Sequence, residues 1–543
     1  MDRADVIVIG SGLSGLVAAW HAAERGRQVL LIDQEGSQSI GGQAWWSLGG
    51  LFMVDTPEQR RLHIRDSRDL AGADWALSAA FDRPEDANPK AWAEAYLDFA
   101  SGPMRAYLHG LGMRWFPVVG WAERRYRAGQ GHGNSVPRFH ITWGTGTGVV
   151  KPYAARVTAH PRIRLAFRRR VTDLVLTAGR IAGVAGDLLA EDAAPIGAPT
   201  NRRVTGRFEA QAQAVILATG GIGANHDLVR AVWPVDRLGP APARMVAGVP
   251  DYVDGAMLGL AEGAGAAIIN RDRMWHYCEG LQNWDPIWTN HGIRILPGPS
   301  SIWLDATGQR MEPPFFPGFD TLGTLKRILQ TGHAHSWFIL TQSVIEKEFA
   351  LSGSEQNPDL TRGGWLSVLR ERLGKGATRA VEAFKDRGAD FVVARDLDTL
   401  VAGMNRITPE ATLDPARIHA QIAARDAAID GTAEDAQVTA IRAARSYLGD
   451  KLIRTARPHR MLDPAHGPLI AVRLNILTRK SLGGLHTDLS ARVLRPDGCT
   501  FDGLFAVGEA AGFGGGGYHG YNALEGTFLG GCIFSGKVAG ESV

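Results

Sequence analysis

The chain has 543 residues, of which 45% are hydrophobic and 21% are charged, and it contains 67 glycines. This composition is typical of a globular protein with two or more domains, and it excludes disorder, coiled coil and collagen. The 59 basic and 56 acidic residues leave a formal net charge of +3, so charge indicates neither a nucleic-acid partner nor a membrane surface.

The cysteines and the apolar segments bear on where the protein works. Cys278, Cys499 and Cys532 lie far apart and form no CxxC pair, so neither a disulfide framework nor an iron–sulfur site is indicated. The sequence contains no run of about 18 apolar residues, and its first residues lack the basic region and cleavage site of a secretory signal. We therefore predict a cytoplasmic protein with no transmembrane segment.

The first 33 residues predict a βαβ unit. Residues 5–9 are apolar and β-branched, as expected of a strand that is buried on both faces of a parallel sheet. Residues 15–26 are Ala-rich with apolar positions at helical spacing and end in a glycine, and residues 28–33 read as a second strand. This order is typical of an α/β fold with a parallel sheet.

Two further strands are predicted later in the chain, at residues 214–218 and 503–507, and each runs almost directly into glycine. Between about residues 270 and 467 the composition changes, first to aromatic loops and then to amphipathic helical segments. Asp414 and Pro415 suit the N-cap and first position of one of these helices. We interpret this region as an inserted domain that is partly helical.

A glycine-rich turn separates the first predicted strand from the helix. Residues 10–15, GSGLSG, match GxGxxG, and Asp33 follows 18 residues beyond Gly15. In dinucleotide-binding folds the first glycine allows a tight turn, the second lets a pyrophosphate approach the helix N-terminus, and the third lets helix and strand pack closely. An acid at the position of Asp33 accepts hydrogen bonds from a ribose. A glycine turn without a ligand is the alternative, but the strand before and the helix after favour a nucleotide site.

Two other patterns are not assigned a ligand. Residues 512–517 satisfy GxGxxG only because they lie in a glycine tract, so we predict one dinucleotide fold and no second one for a nicotinamide. His333 and His335 are separated by one residue, but no further ligands accompany them, and we predict no metal site.

Four segments resemble successive signatures of the fumarate reductase/succinate dehydrogenase flavoprotein superfamily. They are residues 41–50 (GGQAWWSLGG), 218–225 (ATGGIGAN), 481–488 (SLGGLHTD) and 503–512 (GLFAVGEAAG). Within that superfamily the chain is most similar to the FAD-binding, KsdD-like steroid dehydrogenases, which are relatives of 3-ketosteroid Δ1-dehydrogenase.

The resemblance implies both an architecture and a set of cofactor contacts. We expect a Rossmann-like FAD-binding domain in two segments, residues 1–268 and 468–543, with an inserted α+β cap domain, residues 269–467, that carries the catalytic groups. The residues that the resemblance assigns to FAD are Gly10, Ser11, Gly12, Ser14, Gly15, Asp33, Gln34, Gly41, Gly42, Gln43, Ala44, Ser47, Gly49, Gly50, Val171, Ala218, Thr219, Gly220, Asn225, Gly508, Glu509, Asn522 and Leu524.

Individual roles follow from the same resemblance. Glu509 is expected to bind ribityl hydroxyls, and the backbone amides near Asn522 and Leu524, at the start of a helix, are expected to face the N1/O2 edge of the flavin. A helix N-terminus there would stabilise the anionic reduced flavin.

Departures from the family are informative. Succinate dehydrogenases bind FAD covalently through a histidine where this chain has Gln43, so we expect non-covalent FAD. Fumarate reductases have a substrate-binding histidine at the position of Lys480 and a carboxylate-clamping arginine at that of Ala523. Their arginine proton donor also has no counterpart after residues 308–311. Dicarboxylates therefore lose charge-assisted hydrogen bonds of roughly 1.5 to 3 kcal/mol each.

The candidate catalytic residues are Tyr521, Lys480, His140 and Tyr277. Ketosteroid dehydrogenases polarise the substrate ketone with a tyrosine two residues after a histidine, and Tyr521 follows His519 at that spacing. The glycine whose amide completes that site in the family is absent here. Tyr277, His140, Lys480 or Tyr126 is expected to exchange the proton. The alternatives are an ordinary packed role for Tyr521 and a structural hydrogen-bonding role for His140.

These observations predict an FAD-dependent dehydrogenase that acts on CH–CH groups. A hydride would pass between flavin N5 and a carbon next to an activating carbonyl of an apolar, ketosteroid-like small molecule, with an unknown electron partner. Two alternatives remain open: a reductase of an unsaturated acid similar to fumarate reductase, and a catalytically degenerate flavin-holding electron-transfer protein.

Overall fold

The computed structural model describes residues 2–127, 131–362, 364–374 and 376–543. Its strands are β1 (Asp2–Arg3), β2 (Val6–Ile9), β3 (Val29–Ile32), β4 (Gly50–Phe52), β5 (Phe139–Ile141), β6 (Ile163–Ala166), β7 (Arg169–Thr177), β8 (Arg180–Leu189), β9 (Val204–Gln211), β10 (Ala214–Leu217), β11 (Val246–Ala247), β12 (Ile268–Ile269), β13 (Met274–Gln282), β14 (Gly292–Leu296), β15 (Ile302–Asp305), β16 (His335–Thr341), β17 (Ala350–Leu351), β18 (Phe391–Ala394), β19 (Leu469–Ser481), β20 (Gly484–Leu485), β21 (Arg492–Leu494) and β22 (Thr500–Ala506).

The helices follow the same order along the chain. They are α1 (Leu13–Glu24), α2 (Pro57–Arg61), α3 (Arg68–Ala79), α4 (Ala87–Ser101), α5 (Met104–Gly110), α6 (Thr145–Ala159), α7 (His226–Ala231), α8 (Val235–Leu238), α9 (Ala256–Gly263), α10 (Thr321–Leu329), α11 (Gln342–Glu348), α12 (Pro358–Thr361), α13 (Trp365–Leu373), α14 (Arg379–Arg387), α15 (Leu397–Ile407), α16 (Pro415–Ile429), α17 (Ala436–Ala444), α18 (Leu448–Ile453) and α19 (Thr527–Ser542).

A six-stranded sheet with the order β21-β22-β10-β2-β3-β6 organises the two ends of the chain. The predicted strands at residues 5–9, 28–33, 214–218 and 503–507 all lie in this sheet, as β2, β3, β10 and β22. These four strands pair in parallel, and every residue of β2, β3 and β10 is buried. Both faces of the sheet are covered, which explains the nearly continuous apolar sequence of its strands.

The two ends of the chain also meet through helices. α1 begins at Leu13, two residues before the predicted start, because Gly12 is its N-cap. α19 packs against α1 so closely that a Cβ on Gly536 would lie 2.6 Å from the carbonyl oxygen of Ser14. The contact therefore joins the first and last segments of the sequence into one packed unit.

A second large sheet has the order β15-β16-β19-β13-β14-β17, with β11 and β18 also paired to β19. Most of its strands come from the inserted region, and α10 to α18 follow or separate them along the chain. The central strand, β19, begins at Leu469 and lies beyond the predicted boundary at residue 467. The insertion and the last segment therefore share this sheet, and the predicted division at residue 467 does not coincide with its edge.

The predicted helix start at Asp414 is confirmed. The Asp414 side chain accepts a hydrogen bond of 2.9 Å from the Ala416 amide, and Pro415 occupies the first helical position of α16. In the described parts of the chain, none of the helices combines the length and the apolar character needed to cross a membrane.

Candidate functional site

A cavity of about 540 Å³ lies where the two large sheets meet. One side is formed by the glycine turn after β2, the end of β3 and the loop after β10, and the other side by residues of β13, β14 and β19. The carboxyl ends of parallel strands are where α/β folds bind ligands. This cavity is therefore the candidate functional site.

The glycine turn has the geometry that a pyrophosphate requires. Gly10 has a φ of +101°, and a Cβ there would lie 2.5 Å from the Ala218 carbonyl oxygen. A Cβ on Gly15 would lie 1.9 Å from the Gly10 carbonyl oxygen, so the turn and α1 pack closely. A Cβ on Gly12 has only the Ala218 oxygen nearby, at 3.9 Å, and Gly12 lines the cavity at the N-terminus of α1. A phosphate can therefore approach this backbone and the positive end of the helix.

Asp33 stands at the end of β3 and lines the same cavity. Its carboxylate accepts hydrogen bonds from the Ser11 amide (2.7 Å), the Ser11 hydroxyl (2.6 Å) and the Glu35 amide (2.8 Å). Burial raises the pKa of Asp33, while these hydrogen bonds act in the opposite direction. The contacts fix the orientation of the carboxylate, as required of a ribose-binding acid.

A second polar group connects the loop after residue 41 with β19 and the loop after β22. Lys480 donates to Oε1 of Gln43 at 2.5 Å, and Nε2 of Gln43 donates to Oε2 of Glu509 at 2.6 Å. The Ser481 amide donates to Oε1 of Glu509 at 2.8 Å. Burial lowers the pKa of Lys480, although the nearby Glu509 carboxylate opposes this shift. Lys480, Gln43 and Glu509 all line the cavity.

A third polar group consists of Tyr277, Arg294 and Glu525. It lies where the cavity meets the second large sheet, which contains β13, β14 and β19 and is called the cap sheet below. Tyr277 donates to Oε1 of Glu525 at 2.8 Å, and Nη1 of Arg294 donates to the same oxygen at 2.7 Å. The Arg294 guanidinium carbon lies 3.7 Å from the centre of the Tyr277 ring. The indole of Trp275 also donates to Glu525, at 3.2 Å. All three side chains of the group line the cavity and are buried.

The charges of this group are strongly coupled. Burial and the neighbouring Glu525 carboxylate raise the pKa of Tyr277 well above its ordinary value. Burial disfavours the charged form of Arg294, but the Glu525 and Glu279 carboxylates outweigh it and raise the pKa of Arg294. Tyr277 is therefore a neutral hydrogen-bond donor, and Arg294 is a cation in a site of low dielectric.

Apolar side chains complete the cavity. They include Leu48, Phe139, Leu296, Phe513 and Phe528. A mostly apolar cavity with a few convergent polar groups is the usual form of a small-molecule site.

Most predicted FAD-binding residues line the cavity. They are Gly10, Gly12, Ser14, Asp33, Gln34, Gly41, Gly42, Gln43, Ala44, Ser47, Gly49, Gly50, Val171, Ala218, Thr219, Gly220 and Glu509. The structure brings these residues, which are scattered over nearly 500 positions of the sequence, to one site. The ones that it places outside the lining are Ser11, Gly15, Asn225, Gly508, Asn522 and Leu524.

Three of the residues outside the lining shape the turns that form the cavity wall. The side chain of Ser11 donates to the Asp33 carboxylate, as described above, and Gly15 packs against Gly10. Gly508 has a φ of +62°, and its amide donates to the Ser535 hydroxyl at 2.9 Å. These residues shape the turns, whereas we had expected them to contact FAD.

The other three have local structural roles. Asn225 caps α7 by accepting a hydrogen bond of 3.0 Å from the Leu228 amide. Asn522 donates to the Ser78 carbonyl oxygen at 2.9 Å, and Leu524 is buried in the hydrophobic core. These contacts give the three side chains roles in the fold, and the predicted contacts of the backbone amides near Asn522 and Leu524 with the flavin stay a prediction.

The helix N-terminus at the flavin edge is displaced from its predicted place. The sequence placed it near Asn522 and Leu524, but α19 begins at Thr527 with Gly526 as N-cap. Glu525 and Gly526 line the cavity. A helix N-terminus thus does meet the cavity, only two to four residues further along the chain.

Of the predicted catalytic residues, Lys480 and Tyr277 line the cavity and Tyr521 and His140 do not. The Tyr521 hydroxyl donates to Asp82 at 2.9 Å, and the Arg273 and Arg237 guanidinium groups stand over its ring at 4.2 and 4.4 Å. Its amide donates to the Ala79 carbonyl oxygen at 2.9 Å. These contacts hold Tyr521 at the end of α3 and outside the cavity lining, which corrects the predicted ketone-polarising role.

His140 is also corrected. Its Nε2 pairs with the Thr56 hydroxyl at 2.8 Å and its Nδ1 with the Arg138 carbonyl oxygen at 2.9 Å, so both ring nitrogens are used. Burial lowers the pKa of His140 to about 4. The ring is a structural hydrogen-bonding group, as the alternative interpretation held.

Sequence reasoning missed Arg294 and Glu525. A signal for Arg294 was present, because a single charge stands inside the strand sequence GIRIL, where all five residues are buried. A charged residue in such a strand indicates a buried partner or a functional site. For Glu525 the pattern indicated only a departure from the family, since the direction of the side chain depends on the fold.

The residues present fit FAD. The open face of Gly12 at a helix N-terminus suits a pyrophosphate, and the carboxylates of Asp33 and Glu509 suit ribose and ribityl hydroxyls. At the other end, Gly526 and the N-terminus of α19 suit the flavin edge that becomes negative on reduction.

Comparison with known proteins bears on the same point. The family model described as FAD binding domain matches residues 5–529. The chain is 56% identical over 539 residues to a KsdD-like steroid dehydrogenase of Mycobacterium tuberculosis, covering 99% of this chain and 95% of that protein. It is 58% identical over 530 residues to the KsdD-like steroid dehydrogenase of Mycolicibacterium smegmatis, covering 97% and 96%.

Solved structures share the fold at low sequence identity. The 3-ketosteroid Δ1-dehydrogenase of Sterolibacterium denitrificans superimposes with a TM-score of 0.71 at 15% identity, covering 100% of this chain and 99% of that one. The 3-ketosteroid-Δ4-(5α)-dehydrogenase of Rhodococcus jostii gives 0.61 at 18% identity, covering 100% and 96%. The predicted α/β flavoprotein fold is confirmed. The chain belongs to the FAD-binding-domain flavoproteins, among the KsdD-like steroid dehydrogenases, and is an FAD-dependent dehydrogenase.

Proposed function

We propose that this protein removes two hydrogens from adjacent carbons of a ketosteroid-like substrate, one of them next to the ketone. The single observation that carries the proposal is the group formed by Tyr277, Arg294 and Glu525 at the wall of a mostly apolar cavity. Its relatives of 56 to 58% identity are named steroid dehydrogenases, which supports the same substrate class.

The cavity wall supports a flat, apolar substrate. Leu48, Phe139, Leu296 and the two phenylalanines of the last segment offer contact area without hydrogen-bond demands. A steroid buries most of its surface in such a site, and its ketone is the one strong acceptor that needs a polar partner.

Tyr277 and Glu525 form a hydrogen-bonded pair that can carry the proton. The carbon next to the ketone releases a proton to the Tyr277 oxygen, while the Tyr277 proton passes to Oε1 of Glu525 across the existing hydrogen bond of 2.8 Å. The transfer is concerted because the raised pKa of Tyr277 disfavours a free phenolate. FAD, when bound, supplies the acceptor for the hydride that leaves the neighbouring carbon, and the substrate gains a C=C bond.

We propose the following contacts between individual residues and FAD. Gly10, Gly12 and the N-terminus of α1 would hold the pyrophosphate, Asp33 the adenosine ribose and Glu509 the ribityl chain. Gln43 is bonded to Lys480 and Glu509 and has no nucleophilic nitrogen, which supports non-covalent binding. Acid precipitation of the holoenzyme should therefore release all the flavin into the supernatant.

Anaerobic stopped-flow absorbance of the purified holoenzyme tests the function. We expect saturated and 4-ene 3-ketosteroids to bleach the flavin and succinate to leave it unchanged. Tyr277→Phe should slow bleaching by about 10²- to 10⁴-fold, the usual contribution of a proton-transferring group.

The matched control is Tyr521→Phe, because that hydroxyl bonds to Asp82 outside the cavity lining. It should bleach at the wild-type rate. Reoxidation of the reduced protein by fumarate or urocanate, with all steroids inert, would contradict the proposal in favour of an acid reductase.

A further inference from the structure

Arg294 has hydrogen-bonding capacity that the protein itself does not use. The residue is 3% exposed and lines the cavity. Its Nη1 donates to Glu525, but within the described part of the chain Nε and Nη2 have no hydrogen-bond partner. A buried guanidinium has five N–H donors, and leaving some of them unpaired is unfavourable unless a ligand supplies an acceptor.

The carboxylates around Arg294 do not use all of its hydrogen-bond donors. Oε2 of Glu279 lies 3.7 Å from Nε, too far for a hydrogen bond, and that oxygen is also unpaired among the described residues. Burial raises the pKa of Glu279, and it raises that of the nearby Glu123 well above its ordinary value. Glu525 is the carboxylate that Arg294 reaches by a hydrogen bond, and its Oε1 is shared with Tyr277 and Trp275.

Two of the predicted catalytic residues are not free to bind the ketone. Lys480 is bonded to Gln43 and lies 3.8 Å from Glu509. Tyr521 lies outside the cavity lining. The carboxyl-bearing residue Glu525 occupies the stretch where a ketone-binding glycine amide was expected. Arg479 of β19 also lines the cavity but is only half-buried, whereas Arg294 is buried and its guanidinium carbon lies 3.7 Å from the centre of the Tyr277 ring.

We propose that Arg294 is a catalytic residue whose Nη2 donates to the substrate ketone oxygen and stabilises the negative charge that develops there as the neighbouring C–H bond breaks. The assignment rests on the proposed function. The ketone carbon lies between its oxygen and the carbon that loses the proton, so donor and proton acceptor must stand side by side. Arg294 and Tyr277 do so, at 3.7 Å from guanidinium carbon to ring centre.

The chemistry balances with the groups named. The proton from the carbon next to the ketone ends on Glu525 by way of Tyr277, and the hydride leaves the adjacent carbon for the cofactor. The electron pair of the broken C–H bond is held on the ketone oxygen beside Arg294 and then forms the C=C bond. A preorganised cation in a buried site is the most effective stabiliser of such transient charge.

A binding experiment with a charge analogue tests the inference without turnover. Estradiol has a phenol in place of the ketone ring, with an ordinary phenol pKa of about 10, and its phenolate mimics the enolate. We expect the wild-type holoenzyme to bind it as phenolate near neutral pH, visible as a phenolate difference spectrum. Arg294→Gln should abolish that spectrum and weaken binding by about tenfold or more.

Kinetics supply the second readout. Arg294→Gln should lower kcat by about 10²- to 10³-fold, as loss of an oxyanion donor does, with a much smaller change in KM. Arg294→Lys keeps the charge but cannot serve Glu525 and the ketone together, so it should show an intermediate phenolate signal and kcat. This variant carries the test if Arg294→Gln fails to fold, as judged by flavin content and circular dichroism.

The outcomes separate the two proposals. A wild-type phenolate signal that persists in Arg294→Gln or is unchanged in Arg294→Lys overturns the role of Arg294 and leaves the steroid function standing. Failure of every steroid, phenolic or ketonic, to bind the wild-type holoenzyme overturns the proposed function itself.

Discussion

His140 illustrates how burial decides what a side chain contributes. Its ring is fully enclosed, with Thr56 and the Arg138 carbonyl oxygen on its two nitrogens. Burial lowers its pKa from the ordinary 6.5 to about 4. An unfolded chain therefore binds a proton at this residue, between pH 4 and 6.5, that the folded chain does not.

The sign of the resulting pH dependence follows directly. The lowered pKa gives a stabilising contribution that is present above pH 6.5 and is lost as the pH falls to about 4. The full loss is about 3 kcal/mol, with a slope of up to about 1.4 kcal/mol per pH unit. We expect His140→Gln to flatten the curve of unfolding free energy against pH by this amount, measured by urea denaturation between pH 4 and 7.5.

The control for this prediction is His63→Gln, at an exposed position close in sequence. It should leave the shape of the wild-type curve intact. Parallel curves for the wild type and His140→Gln would show that the ring titrates in the folded protein as it does in the unfolded chain.

Tyr521 shows why the direction of a side chain escapes sequence reasoning. The spacing after His519 matches the family pattern for a ketone-binding tyrosine. Gly520, however, has a φ of +62° and packs so tightly that a Cβ would lie 2.1 Å from the Ala79 oxygen. That contact with α3, 441 residues away, determines which way Tyr521 faces. The local sequence pattern contains no sign of this long-range contact, whereas the glycine turn after β2 is a local feature and was predicted.

At the level of elements, the packing of α19 on α1 connects the two ends of the sequence. Gly536 and Gly540 face α1, and Cβ atoms at these positions would lie 2.6 Å from the Ser14 oxygen and 2.5 Å from the Ala18 oxygen. Backbone cannot yield as a flexible side-chain end can. Close approach of the two helices therefore depends on these glycines.

We expect Gly536→Ala to lower the free energy of unfolding by about 1 to 3 kcal/mol, because the added methyl group meets backbone. The matched control is Gly259→Ala in α9, where a Cβ has no neighbour within 4 Å in the described structure. It gains only helix propensity and should stabilise the protein by up to about 1 kcal/mol. Both values can be measured by chemical denaturation. Equal effects of the two substitutions would contradict the packing argument.

The strands of the parallel sheet could be predicted from the sequence. Apolar, β-branched runs that end in glycine located β2, β3, β10 and β22, because burial on both faces leaves a local signature. The sequence does not show which sheet β19 joins, because its apolar residues would suit either sheet, and so the domain boundary near residue 467 could not be located from it. The pairing of β19 with β13 and β16 is long-range and has no local sign.

At the scale of the whole molecule, β19 connects the cap sheet with the loops after β10 and β22, which line the predicted FAD site. Its Lys480 lies opposite Trp275 of β13, and its last residue, Ser481, donates its amide to Glu509 at 2.8 Å. The Ser481 hydroxyl also accepts from the Ile222 amide at 3.1 Å, in the loop that follows β10. Occupation of the cofactor end should therefore stabilise both sheets together.

Hydrogen exchange followed by mass spectrometry tests this coupling. At a free FAD concentration of 100 times its Kd, binding stabilises the folded state by about 2.7 kcal/mol, or about 100-fold in the exchange of amides that open only on global unfolding. We expect this slowing in β19 and β13 as much as in β2 and β3. The two sheets would then unfold as one cooperative unit.

Gly12→Val provides the control, because we expect it to block the cofactor and to leave the fold intact. Gly12 has an ordinary φ of −65°, and a Cβ there meets only the Ala218 oxygen at 3.9 Å, so the chain should fold. The larger side chain fills the approach to the N-terminus of α1, and the same FAD concentration should then slow exchange in neither sheet. Slowing confined to β2 and β3 in the wild-type protein would show instead that the cap sheet opens independently, and that Ser481 does not transmit the binding energy.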